Sequence, residues 1–269
     1  MQIISFMAEK GGVGKTMLTF QLAKYLQSQK RNTLLIDLDL QKNLTGLFET
    51  RNTKFDNSYT VSNILENPKT PFKTLSAQNN IDIIPSHAGL AYTIKDLENK
   101  SGGDMRLLRW FSYNYNKLKN KYDFVLLDLP PGWNTAITNG ILVSEKVISP
   151  LDPGFGGYSS FSKTKNAFQA LQKDDDLSNP QTGESYITAK LYFLPNRIKY
   201  NTKLSRDFAN ALKDNPQVIG LIHEKELLNR SEMERKGARK SSEDHKQESK
   251  DKIFLDHLET IFNKIEKPV

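Results

Sequence analysis

The chain of 269 residues contains no cysteine, which excludes disulfide bonds, thiolate metal sites and iron–sulfur clusters. It also has no apolar run near the roughly 18 residues that a membrane-spanning helix needs. Met1 leads directly into a short apolar segment, without the basic start and long apolar stretch of a signal peptide. These absences together predict a soluble, cytoplasmic protein.

The charge balance is moderately basic. Lys and Arg number 38 against 31 Asp and Glu, which gives a formal net charge of +7 and an isoelectric point near 9.3. This excess permits a polyanionic partner such as nucleic acid but does not require one. The length is sufficient for a complete α/β core.

The most informative segment is the glycine-rich turn 10–16, which directly follows the apolar run 2–7. Glycines let backbone N–H groups turn inward around phosphates, and a helix expected from Thr16 to about Gln29 would direct its positive end at them. In such a loop Lys15 reaches the β- and γ-phosphates, and the Thr16 hydroxyl binds Mg²⁺. The sequence therefore predicts a bound nucleoside triphosphate together with Mg²⁺. The remaining predicted nucleotide-binding residues in this segment are Gly11, Gly12, Val13, Gly14 and Met17.

The loop departs from the usual G-x-x-x-x-G-K-[ST] spacing, because Glu9 stands where that pattern has its first glycine and Lys10 is added. A second lysine is explained if it reaches the nucleotide of a facing subunit and stabilises charge in the transition state. The alternative is an ordinary glycine-rich turn beside a solvated lysine.

Two further apolar runs end in carboxylates. The run 34–38 includes Asp37 and is followed by Asp39, and the run 124–129 carries Asp128 and leads into Pro-Pro-Gly. Carboxylates at strand tips beside a phosphate loop can hold Mg²⁺ or orient the attacking water. Asp128 fits a carboxylate that holds Mg²⁺, whereas Asp37 and Asp39 are candidates for either of these roles. The alternative is that each aspartate only starts a turn.

Apolar segments without strict alternation recur between helical patterns, as in central strands of a parallel sheet. This order predicts an α/β fold, in which one doubly wound, mostly parallel sheet is flanked by helices and binds nucleotide at the carboxyl ends of the strands. The predicted strands are Gln2–Met7, Thr33–Leu38, Ile81–Pro85, Phe124–Leu129, Lys146–Pro150 and Tyr186–Leu194.

The three motifs, K-G-G-V-G-K-T, D-L-D-L-Q-K-N and D-L-P-P, occur in the order and spacing typical of the ParA/MinD family of deviant Walker A ATPases, which the chain resembles over about residues 1–230. The resemblance implies a P-loop ATPase that uses ATP and Mg, with Lys10, Lys15 and Asp39 as catalytic residues. It also implies that Asp37 lies near the metal, together with Thr16 and Asp128. It also implies that Asn196 contacts the base. Leu40 replaces the usual proline of the second motif.

The resemblance further implies a switch: ATP joins two subunits into a homodimer that gains affinity for a surface, and an adaptor resembling ParB stimulates hydrolysis and release. We expect a ParA-like partition protein that binds duplex DNA nonspecifically and is nucleoid-associated with ATP. Because the phosphate loop begins near residue 9, we expect no separate N-terminal DNA-binding domain. The predicted DNA-binding residues are Lys199, Lys203, Arg206, Arg230 and Arg239.

Two other functions stay open. A MinD-like protein would use a C-terminal helix to bind membrane, and a P-loop ligase or kinase would act on a small molecule without a macromolecular partner. Segment 253–266 has apolar residues at helical spacing, which form a stripe along one face of the expected helix. Its polar face mixes acidic and basic residues, which favours docking of the helix onto the sheet over binding to a membrane surface. We expect one domain over 1–269, with the charged segment 233–252 mobile or a solvated helix.

Overall fold

The computed structural model describes residues 1–48, 59–154 and 156–267. Within these ranges the chain forms seven strands and eleven α-helices. The strands are β1 (Gln2–Ala8), β2 (Thr33–Asp37), β3 (Leu75–Gln78), β4 (Ile81–Ile84), β5 (Phe124–Pro131), β6 (Lys146–Leu151) and β7 (Lys190–Pro195). The helices are α1 (Lys15–Ser28), α2 (Asn43–Phe48), α3 (Val61–Glu66), α4 (Leu90–Glu98), α5 (Arg106–Lys121), α6 (Thr135–Val143), α7 (Gly157–Gln172), α8 (Lys203–Leu212), α9 (Glu226–Met233), α10 (Ala238–Asp244) and α11 (Glu248–Glu266).

The strands form one sheet in the order β3-β4-β2-β5-β1-β6-β7. All neighbouring pairs are parallel except β3 with β4. The register places Asp37 of β2 directly beside Asp128 of β5. The predicted α/β fold with a mostly parallel sheet is confirmed.

The central strand β1 shows why the sheet needs a layer of helices on each face. Successive side chains of a strand point to opposite faces. Ile3 and Met7 accordingly belong to one apolar cluster, together with side chains of α5 and α6. Ile4 and Phe6 belong to a second cluster, together with side chains of α1 and α11. A strand buried on both faces has no polar alternation, which explains the continuous apolar runs in the sequence.

Two details of the sheet differ from the sequence-based prediction. The short antiparallel strand β3 was not predicted, because its sequence Leu-Ser-Ala-Gln is half-exposed at the sheet edge and carries little strand signal. The last strand begins at Lys190 instead of Tyr186, where pairing with β6 starts at Lys146. The prediction started too early because the apolar Ile187, which is buried outside the strand, looked like a strand residue in the sequence.

The C-terminal part of the chain forms α9, α10 and α11. The charged segment 233–252 spans the end of α9, all of α10 and the start of α11. The apolar stripe of α11 is buried against the sheet layer; its members with 1–3% exposure are Leu255, Leu258, Ile261, Phe262 and Ile265. The end of this helix is held by the Lys146 ammonium, which donates to the Ile265 carbonyl over 2.6 Å. No helix in the described ranges is long and apolar enough to cross a lipid bilayer.

Candidate nucleotide-binding site

The glycine-rich segment forms a loop between β1 and α1, at the carboxyl end of the central strand. Gly12 and Gly14 have φ angles of 78° and 98°, in the left-handed region that glycine adopts without strain. Helix α1 begins at Lys15, so its first N–H groups point into the concave side of the loop. This geometry suits a bound phosphate group.

The segment directly after β7 holds this loop through two hydrogen bonds. The Asn196 amide donates to the Val13 carbonyl over 2.8 Å, and the Arg197 guanidinium donates to the Gly12 carbonyl over 2.5 Å. A Cβ on Gly14 would come within 2.5 Å of the Asn196 amide nitrogen. Glycine at position 14 is therefore needed both for its φ angle and for this close approach.

The predicted metal residues meet at the ends of β2 and β5. The Thr16 hydroxyl donates to the Asp128 carboxylate over 2.6 Å. Asp37 accepts from the Thr45 hydroxyl over 2.6 Å and from the Thr45 backbone N–H over 2.8 Å. Both carboxylates are completely buried, so each is expensive to keep ionised without a cation.

The electrostatics of these carboxylates fit a divalent cation. Burial raises the pKa of Asp37 to about 6. Burial and the neighbouring Asp37 also raise the pKa of Asp128 well above its ordinary value. One Asp128 oxygen, Oδ1, is buried without a hydrogen-bond partner among the described residues. Because the described residues hold no group of three or more acidic, His or Cys ligands, a Mg²⁺ here would take further ligands from nucleotide phosphates and water.

The predicted catalytic residues lie around this centre. The Asp39 backbone N–H donates to Asp37 over 3.0 Å, and the Asp39 side chain is itself buried. Lys15 is also buried, and its charge lowers the pKa of Asp128. Lys10 lies on the other side of the loop, close to Gly156, where an added Cβ would come within 2.5 Å of the Lys10 ammonium. Asp39 thus contacts Asp37 at the end of β2, whereas Lys10 lies next to Gly156.

A pocket beside the loop could receive the nucleotide base. It has a volume of about 280 Å³ and is lined by Met17 and Asn196, as well as residues of α9 and the segment before it. The Asn196 side-chain oxygen is buried without a partner among the described residues, so an acceptor is available there. Met17 and Asn196, both predicted from the sequence to bind nucleotide, line this pocket. His223 and Glu232 also line it, but they carry no motif signal and were not predicted.

The predicted DNA-binding residues fall into two settings. Lys203 and Arg206 are exposed on α8, one turn apart, and Lys199 just before it is 3.6 Å from Glu224. Arg230 is half-buried and donates to Gln247 over 3.2 Å. Arg239 contacts three carboxylates at 2.6–3.2 Å, so its charge is already compensated. Lys199, Lys203 and Arg206 lie at and just before the start of α8, whereas Arg230 is on α9 and Arg239 is on α10.

Comparison with known proteins agrees with this geometry. Residues 1–179 match the AAA domain family. An uncharacterized protein of Methanocaldococcus jannaschii is 26% identical over 88% of this chain and 90% of its own length. The sporulation initiation inhibitor protein Soj of Bacillus subtilis is 28% identical over 64% of this chain and 66% of its own length.

Solved structures with 21–24% identity support the fold alone. A plasmid partition protein of Borrelia burgdorferi B31, bound to AMPPNP, has a TM-score of 0.73 with 98% of each chain covered. A Cyanothece McdA variant in complex with ATP has a TM-score of 0.77, covering 99% of this chain and 95% of its own. A cobyrinic acid a,c-diamide synthase of Mycobacterium smegmatis, with ADP and magnesium, has a TM-score of 0.64, covering 80% of this chain and 82% of its own.

The sheet order, the phosphate loop and the two strand-end aspartates define a P-loop nucleoside triphosphatase. Within that class, the matched family and the Soj relative give a narrower assignment. The chain belongs to the ParA family of ATPases.

Proposed function

We propose that this protein is an ATP-driven switch that partitions DNA or another cargo. The observation that carries the proposal is the phosphate loop itself, which combines a buried Lys15 with a second lysine, Lys10, on the far side of the loop. A single lysine is sufficient to bind the β- and γ-phosphates. A second one is useful where hydrolysis depends on another subunit.

Each residue near the loop then has a distinct role in hydrolysis. Lys15 and the N–H groups at the start of α1 hold the phosphates, while Thr16 and Asp128 hold Mg²⁺, with Asp37 behind them. Bound Mg²⁺ neutralises negative charge on the β- and γ-phosphates. Asp39 orients the attacking water. The hydrogen bond from the Asp39 backbone N–H to the Asp37 carboxylate holds Asp39 close to the proposed Mg²⁺ site.

ATP binding favours a homodimer in which Lys10 leaves Gly156 and reaches the phosphates of the partner subunit. The added positive charge stabilises the transition state, as an arginine finger does in other phosphoryl-transfer enzymes. The dimer is the state with affinity for DNA. Hydrolysis, stimulated by a ParB-like or other adaptor protein, returns the subunits to the weakly binding state.

The surface proposed to contact duplex DNA consists of Lys199, Lys203 and Arg206. Lys203 and Arg206 are exposed and lie on one face of α8, and dimerisation doubles the number of such cations. Binding of this kind uses phosphates, so it is independent of sequence and sensitive to salt. Arg239 does not belong to this surface, because three carboxylates already neutralise it.

Other functions find less support in the site. In a MinD-like protein α11 would need its apolar stripe free for lipid, but the stripe residues from Leu255 to Ile265 are buried in the core. A small-molecule ligase would share the fold of the diamide synthase, but the cavity beside the loop, about 160 Å³, is small for a large cosubstrate. The DNA-bound form is expected on the nucleoid inside the cell.

The first experiment measures binding to random-sequence duplex DNA by fluorescence anisotropy, with ATP, ADP or no nucleotide, at two salt concentrations. We expect binding with ATP only, with an affinity that falls steeply as salt rises. Replacing both Lys203 and Arg206 by Ala should lower the salt slope by about 0.9 for each phosphate that is no longer neutralised. The matched control is Lys117→Ala with Lys119→Ala on α5, which should leave the slope unchanged.

A second measurement separates DNA binding from dimer-dependent hydrolysis. Lys10→Ala should still bind ATP but should lose the hydrolysis that the adaptor stimulates, because the trans charge is missing. Stimulated hydrolysis that survives Lys10→Ala would contradict the trans mechanism. Absence of DNA binding in every nucleotide state at low salt would contradict the proposed function.

A further inference from the structure

A groove separate from the phosphate loop lies between α1, α10 and α11. Its volume is about 460 Å³, within the range of small-molecule sites. Its apolar floor comes from Leu255, Leu258 and Phe262 of α11, and its walls from the second half of α1 and the segment 235–240. No residue of this groove lines the loop cavity or the base pocket.

One wall of the groove carries a buried ammonium group. Lys24 is only 9% exposed, and its Nζ lies 5.3 Å from the ring centre of Phe20 and 5.4 Å from that of Phe48. It donates a hydrogen bond to the neutral Gln78 side chain. Among the described residues no carboxylate lies within ion-pairing distance of Lys24. Burial accordingly lowers the pKa of Lys24 to about 8.

The other cations of the groove are engaged already. Lys236 is 2.7 Å from Asp244, and Lys240 is 3.0 Å from the same carboxylate. Arg239 contacts three carboxylates, and Arg235 also has a partner. The two carboxylates that line the groove, Glu259 and Glu243, pair with Arg239 and Lys240. Within the described ranges, Lys24 is therefore the one of these five cations that is buried without a carboxylate at ion-pairing distance. An uncompensated buried charge is a stability cost unless something binds to it.

The walls around Lys24 are fixed in place. The Gln21 amide donates to the Ser231 hydroxyl over 2.7 Å, and its oxygen accepts from the Ala238 backbone N–H over 2.8 Å. Gln21 thereby ties α1 to both α9 and α10. A groove whose walls are held by such bonds loses little conformational entropy when a ligand enters.

We propose that this groove binds a small monoanion with an apolar body, such as a medium-chain or aromatic carboxylate. The anionic group would pair with the Lys24 ammonium, and the apolar body would cover Leu255, Leu258 and Phe262. A single uncompensated cation selects one negative charge. Duplex DNA fits this groove poorly, because its phosphates bind to several exposed cations and the Lys24 ammonium is a single buried one.

The test uses the full chain and a fluorescent probe of the same chemistry, 1-anilinonaphthalene-8-sulfonate. We expect saturable binding of one probe per chain, displaced by octanoate and not by the uncharged octanol. Lys24→Met removes the charge but keeps the length of the side chain, and should weaken both anions at least tenfold. Lys24→Arg should restore most of the binding.

Lys117→Met on α5 is the matched control, since it removes an exposed lysine from the opposite layer of helices and should change nothing. Thermal melts check that every variant is folded. The proposal is overturned if wild type binds neither anion, or if Lys24→Met binds both as tightly as wild type does. Displacement by octanol as effective as by octanoate, or displacement by a 20-base-pair duplex, would overturn it as well.

Discussion

The nucleotide end of the sheet, which is the edge formed by the carboxyl ends of β2 and β5, and the C-terminal helices α9–α11 both concentrate charged side chains. The two regions differ in how far these charges are neutralised by opposite charges nearby. At the nucleotide end Asp37 and Asp128 are completely buried side by side, and one Asp128 oxygen has no partner among the described residues. In the C-terminal helices Arg239 is surrounded by three carboxylates, and Asp251 contacts both Lys225 and Ser242. Among the described residues, the buried carboxylates at the nucleotide end therefore have fewer countercharges than the carboxylates of the C-terminal helices have.

This difference separates residues that bind from residues that hold the fold. A buried carboxylate without a cation destabilises the free protein and favours Mg²⁺ with nucleotide. A compensated network contributes modestly to stability and offers little to a partner. Lys24 of α1, which faces the C-terminal helices, is an exception. Like Asp128 it is buried, and it has no opposite charge within ion-pairing distance among the described residues.

The largest expected effect tests whether α11 belongs to the fold. Leu258 is 3% exposed, so Leu258→Ala should lower the free energy of unfolding by about 2–5 kcal/mol through reduced burial and a cavity. Ile253, on the same helix, is 88% exposed, and Ile253→Ala should change stability by about 0.5 kcal/mol or less. Urea denaturation measures both. Equal losses in the two variants would mean that α11 is not docked as described.

The next effect concerns the phosphate loop. Lys15→Ala removes the buried ammonium beside Asp128 and should reduce ATP hydrolysis by about 10²–10³-fold, as loss of one preorganised charge donor does elsewhere. Hydrolysis is followed by phosphate release. Lys117→Ala serves as the control for general loss of positive charge. Activity within about threefold of wild type would remove Lys15 from the catalytic site.

A smaller effect is the pH dependence that Lys24 creates. Its pKa falls from the ordinary 10.5 to about 8 in the folded chain, because burial disfavours the charged form. Between these values the unfolded chain binds more protons, so this group makes the free energy of unfolding rise with pH. Lys24→Met should flatten the rise between pH 8 and 10.5 and stabilise the protein at pH 7. The measurement is urea denaturation across this range; an unchanged slope would contradict the assignment.

The smallest expected effect is on the compensated network. Arg239→Met should lower the free energy of unfolding by about 1 kcal/mol or less, because its side chain is 35% exposed and water screens the ion pairs. The loss should shrink at 1 M salt, where the Debye length is about 3 Å. Lys252→Met, an exposed residue of α11, is the control. A loss that is large and independent of salt would place Arg239 in a tighter network than the distances indicate.

Sequence reasoning succeeded where a short motif fixes its own geometry. The loop 10–16 follows a buried strand, and the helix predicted from Thr16 begins at Lys15. The strand that carries Asp128 was likewise predicted, because continuous apolar residues indicate a central strand, although it extends to Pro131 and not only to Leu129. The edge strand β3 was harder to predict from the sequence, and it was missed because its residues have little β-strand propensity.

Contacts between distant segments could not be predicted from sequence. The charges of Arg239 and Lys203 look alike in the sequence, but only folding brings Arg239 to carboxylates on α11. That Lys24 bonds to the neutral Gln78 and lies beside the Phe20 ring likewise depends on groups that only folding brings to it.

The sequence by itself determined the class of protein and the central parallel strands, since these depend on local patterns of glycine, charge and apolar residues; the edge strand β3 was not among them. Only the tertiary structure decided which charges are neutralised and which remain available, because that depends on side chains far apart in the chain. Asp37 and Asp128 become neighbours through sheet register, and their mutual repulsion in a buried setting exists only after folding.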